Sequence, residues 1–92
     1  SGNSNIRELT FDLEGIPVAS RARLLVQINT LAEVCSNRKQ QPRISRKGKL
    51  IVMVDPGNTE IDERRAAIDS IEGKIMTIMR SFSTSHRPLL KS

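Results

Sequence analysis

The sequence predicts a small α+β domain with two helices packed on a small sheet, in the order β-α-β-β-α. Three stretches carry that expectation. Leu50–Val54 is a run of five apolar residues closed by Asp55-Pro56-Gly57. It is too short for a helix and holds two valines and an isoleucine, which suit a strand. Leu24, Leu25, Ile28, Leu31, Ala32 and Cys35 recur at helical spacing and form one stripe. From Ile68 through Ile71, Ile75 and Ile78 to Phe82 the intervals are 3, 4, 3 and 4, a second helical pattern. A chain of 92 residues has room for a single core.

Taken in order, residues 1–5 are small and polar and are expected to be disordered. Ser1-Gly2 without an initiating Met reads as what a cleaved tag leaves behind, and the chain as a domain of a longer protein. Residues 6–82 form the domain, and its first element is a strand over Ile6–Leu13. There Leu9, Phe11 and Leu13 alternate with Glu8, Thr10 and Asp12, the period of a half-buried strand. Gly15 and Pro17 end it. Ser20 offers an N-cap for a helix reaching about Arg38, with Cys35 on its apolar face. A polar connector closes at Pro42, and Arg43–Arg46 follows as a short, charged edge strand. Lys47-Gly48 then turns the chain into Leu50–Val54, which is expected to be buried on both faces.

Asp55-Pro56-Gly57-Asn58 is a turn signal, and Thr59 a natural N-cap for the second helix. Glu60, Asp62 and Glu63 fall in the first turn, where the helix dipole favours negative charge. That helix should run from Glu60 to about Phe82. Its isoleucine seam fits packing on the sheet, or pairing with a second subunit through Ile71, Ile75, Met76, Ile78 and Met79. Residues 83–92 read as a flexible tail. The order resembles a split β-α-β arrangement without a final strand, and crossover handedness places both helices on one face. A strand apolar on both faces would need its second face covered, which also points towards a homodimer.

Charge bounds the function. The net charge is +5, and its asymmetry is local. Arg38, Lys39, Arg43, Arg46, Lys47 and Lys49 are uninterrupted by any acid, a candidate phosphate-binding patch. Such a block can equally serve solubility. Of the six acids from Asp55 to Glu72, Glu60, Asp62 and Glu63 are explained by the start of a helix, which weakens a metal reading. With two Phe and no Tyr or Trp, stacking of unpaired bases is disfavoured, so RNA or DNA would be met through phosphate and shape.

The single cysteine excludes an internal disulfide and suits an intracellular compartment, cytoplasm or nucleus. No apolar run is long enough to span a membrane. His86 stands alone in the tail, Cys35 lacks an activating neighbour in sequence, and Gly48 is the only glycine near the basic block. No catalytic residue, metal ligand or cofactor site is expected, and the domain reads as non-enzymatic. Two functions remain. One is a nucleic-acid-binding module that uses the basic connector and hairpin on RNA or DNA backbone. The other is a self-association or scaffold domain that forms a homodimer through the second helix or the sheet face.

Overall fold

The apolar run at Leu50–Val54 becomes the middle strand of the sheet. The computed structural model describes residues 6–35, 39–57 and 59–83. Its elements are β1 (Arg7–Asp12), α1 (Arg21–Ile28), β2 (Arg43–Ile44), β3 (Lys49–Val54) and α2 (Ile61–Phe82), with a 3-10 turn over Val18–Ser20. The sheet order is β1-β3-β2, with β3 antiparallel to both neighbours. β1 and β2 are therefore parallel to one another with β3 between them, and the α+β architecture expected from the sequence is the one observed. Residues 1–5, for which disorder is expected from the sequence, Asn58 of the expected second turn and the expected tail beyond Ser83 lie outside the described residues.

β3 has hydrogen-bonding partners along both edges. β1 pairs with it from Arg7–Val54 to Asp12–Lys49. On the other side β2 pairs at Arg43–Ile51 and Ile44–Leu50. Beyond β2 the same side is completed by the chain leaving α1: the Cys35 N–H donates to the Met53 carbonyl at 2.9 Å and the Asp55 N–H to the Glu33 carbonyl at 2.9 Å. Among the described residues the outer edge of β1 has no such cover. The Leu13 N–H donates to the Gly48 carbonyl at 3.3 Å. By antiparallel alternation, Arg7, Leu9 and Phe11 then bond to β3, and the backbone groups of Glu8, Thr10 and Asp12 point away from it.

The expectation that β3 is buried on both faces is not met. Leu50, Val52 and Val54 are fully buried, whereas Lys49, Ile51 and Met53 are only half-buried. Both helices contribute to a single core, in which Leu24 and Ile28 of α1 and Ile71 and Ile75 of α2 join the inward residues of β3. The opposite face has no helix over it among the described residues. Glu8, Thr10, Asp12 and Arg43 surround Ile51 and Met53 there and shade them in part.

Helix α1 ends at Ile28, well short of Arg38. Beyond it the backbone tightens, with Thr30 N–H to Gln27 carbonyl, Leu31 N–H to Ile28 carbonyl and Val34 N–H to Leu31 carbonyl, each at 3.1 Å. The Thr30 hydroxyl also donates to the Gln27 carbonyl at 2.6 Å, so a side chain competes for a helical acceptor. Val34 then bridges to Val54 and is buried. Cys35 therefore sits at the sheet edge, not on a helical stripe. Two expected caps are also absent. Ser20 makes no side-chain cap to α1, and Glu60, not Thr59, occupies the N-cap of α2 without capping it. The acids of the first turn, Asp62 and Glu63, are where the sequence places them.

Candidate nucleic-acid interface

The β2–β3 turn is built on Gly48, whose φ of 80° is in the left-handed region that a side chain disfavours. Its N–H donates to the Ser45 carbonyl at 3.0 Å, and the Ser45 hydroxyl accepts the Lys49 N–H at 3.2 Å. This tight hairpin carries Arg46 and Lys47 at its tip, both exposed, with Arg43 exposed on the adjoining edge strand. Lys39 is exposed on the approach to that strand. Arg38 lies outside the described residues.

Lys49 has a partner inside the domain. Its Nζ is 3.2 Å from Asp12 Oδ2, across the open face of the sheet. The Glu14 N–H donates to Asp12 Oδ1 at 3.0 Å, and that bond, followed by Lys49, holds the Asp12 carboxyl below its ordinary range. Lys49 thus answers a carboxylate within the domain.

Arg21 takes a place at the turn that the sequence did not assign to it. Its Nη1 lies 3.9 Å from where a Cβ on Gly48 would stand, and its Nη2 donates to the Ile16 carbonyl at 3.5 Å. Its Nε is buried and has no hydrogen-bond partner among the described residues. On sequence grounds Arg21 belongs to the solvent side of α1, and no spacing rule connects it to a hairpin more than twenty residues later. A second basic grouping is equally hidden from the sequence: Arg7 of β1 and Arg64 and Arg65 of α2, with Ile61 and Ile68, line a depression of about 280 Å³.

The candidate dimer residues on α2 are divided by the fold. Ile71 and Ile75 are 1% and 0% exposed and belong to the domain's own core, which removes them from any interface. Ile78 and Met79 are half-buried against that core, and Met76 is 45% exposed.

For catalysis, the observed position of Cys35 is unfavourable. Desolvation, with the Asp55 carboxylate second, raises the thiol above its ordinary pKa, so the thiolate is scarce at neutral pH. Alkylation of Cys35 by iodoacetamide is therefore expected to be slower at neutral pH than that of an unperturbed thiol and to accelerate only at higher pH. A rate profile with its midpoint at or below the ordinary thiol range would contradict the assignment. Among the described residues no cluster of His, Cys, Asp and Glu could hold a metal ion, and His86 is outside them. No helix among them is long and apolar enough to cross a membrane. No family model matches the chain, and neither a characterised protein nor a solved structure proved similar to it.

Proposed function

We propose that this domain binds nucleic acid through the phosphate backbone, along the β2 edge and the β2–β3 turn. The observation that carries this reading is the convergence of exposed Arg43, Arg46 and Lys47 on one short hairpin, with Arg21 held against the same turn. No acid interrupts the sequence from Lys39 to Lys49. Hydrogen bonds of Gly48 and Lys49 with Ser45 close the turn, so presenting its cations costs less backbone ordering than a loose loop would. Lys49 contributes less, because Asp12 already answers its charge.

Contacts of this kind position a duplex and read no bases. Phe11 is in the core and Phe82 lies under Arg23, whose guanidinium carbon is 5.6 Å from the ring centroid, so neither is offered to a base. Duplex or structured RNA, or DNA, is favoured over an unpaired strand. Affinity should be that of sequence-independent binding, about 10⁻⁴ to 10⁻⁶ M at physiological salt.

Fluorescence anisotropy with a labelled duplex over a salt series tests the proposal. The triple change Arg43→Ser, Arg46→Ser and Lys47→Ser alters exposed side chains and should leave the thermal transition in place. It should weaken binding and flatten the dependence of log K on log salt by up to about 0.9 for each phosphate that the variant no longer neutralises. Wild-type protein that shows no shift with RNA or DNA at low salt overturns the proposal, and so does a triple variant with an unchanged slope.

A further inference from the structure

We infer that a second copy of this chain seats along β1 and the adjoining flank of α2, joining the two sheets edge to edge about a two-fold axis. This goes beyond phosphate binding and uses the opposite side of the sheet. The first observation is the strand itself. β1 is a six-residue edge strand with neither proline nor bulge, and the outward backbone groups of Glu8, Thr10 and Asp12 meet no strand among the described residues. Proteins usually shield such an edge, because it is a template for further pairing. The other edge of β3 is completed by Glu33–Cys35 and β2, and among the described residues β1 has no equivalent.

The second observation is the course of α2. It runs beside β1 in the same direction. Arg7, at the start of β1, shares a depression with Ile61, Arg65 and Ile68, whereas Glu14 and Ile16, just past its end, share one with Met76 and Met79. The other flank of α2 faces the chain leaving α1, where Lys74 Nζ is 3.5 Å from Glu33 Oε2. Helical periodicity collects Ile61, Arg65, Ile68, Glu72 and Met76 on the β1 side. Ile61 and Met76 are 61% and 45% exposed, two of the large hydrophobic residues left uncovered.

What selects a second copy is the self-complementarity of that flank. A two-fold axis normal to the sheet at the β1 edge makes β1 antiparallel to its mate and α2 antiparallel to its mate together. With the axis level with Ile68 and Asp69, Ile61 of one copy meets Met76 of the other, and Arg65 meets Glu72. Apolar residues face apolar ones and cation faces anion, each pairing occurring twice as an isologous interface requires. Among the described residues, neither Arg65 nor Glu72 is engaged in an ion pair within the chain. In the strand layer, the register that sets Leu9 against its own mate pairs Glu8 with Thr10 of the second copy and keeps Glu8 away from Asp12.

Sedimentation of the whole chain from low to high micromolar concentration decides the matter, with thermal melts confirming that each variant folds. Wild type should pass from monomer to dimer. Thr10→Pro removes an outward N–H and leaves the β3 ladder intact, so it should fold and remain monomeric. Arg65→Glu and Glu72→Arg should each weaken the dimer by about tenfold or more, since each turns two symmetric attractions into repulsions. The double variant Arg65→Glu/Glu72→Arg should recover it. A wild-type mass of one chain at every concentration overturns the inference. So does a dimer with the same dissociation constant in all four variants.

Discussion

Replacing Val52 with Asp is expected to abolish the cooperative thermal transition, whereas Ile51→Asp, one position away, is expected to keep it. Val52 is 0% exposed and faces the core contributed by both helices. A carboxylate there has no partner and no water, a cost of several kcal/mol whether it stays charged or takes up a proton. A domain of this size has a total stability of about 5–15 kcal/mol, so one such group is enough to unfold it. Ile51 has Thr10 opposite it on one side and Arg43 opposite it on the other, on the face without helices. An Asp at that position would reach water and lie near a guanidinium. Melts followed by circular dichroism separate the two variants. A Val52→Asp protein that melts near wild type would contradict the burial of β3, and an unfolded Ile51→Asp protein would restore burial on both faces.

That contrast marks where the sequence stops being informative. Periodicity distinguishes β1, because Leu9, Phe11 and Leu13 alternate with polar residues, and it orients α2, because only one arc of that helix is rich in isoleucine. It is silent on β3, where every position from Leu50 to Val54 is apolar and either face could be the core. The half-burial of Ile51 and Met53 follows from both helices crossing on one side. The length of α1 departs from its periodicity for a related reason. Leu31 and Cys35 continue a helical spacing, but the chain gains ladder hydrogen bonds at Met53 and Asp55 by leaving the helix, and those partners lie some twenty residues further on. Local propensity is overridden by a tertiary contact.

The candidate site is partly legible in the same way. The hairpin and its acid-free run of cations are sequence features, and the turn forms where Gly48 permits it. The pairing of Lys49 with Asp12 and the approach of Arg21 to Gly48 depend on the β1–β3 register and on the seating of α1, which no local pattern encodes. The same holds for Arg7 beside Arg64 and Arg65. Read along the chain, those two arginines are a minority among acids. In the fold they mark the end of α2 that lies beside the start of β1.

The division of α2 into a core face and an outer flank gives the second large effect. Ile75→Ala should cost about 2–5 kcal/mol, because the removed carbons leave a cavity in the core that also holds Leu24, Val52 and Ile71, and the neighbours fill it incompletely. For a domain of this length that lowers the melting temperature by roughly 10 °C or more. Met76→Ala, on the next residue, should change the monomer's stability by no more than about 0.5 kcal/mol, since nearly half of its surface already meets water. The melts belong at low concentration, where association adds nothing to apparent stability. At high concentration Met76→Ala should become the more informative change, because it removes the apolar partner proposed for Ile61 of the second copy. An Ile75→Ala protein with wild-type stability, or a Met76→Ala monomer that loses as much, would mean that α2 turns another face to the sheet. The pairing of Arg65 with Glu72 would then lose its geometric basis as well.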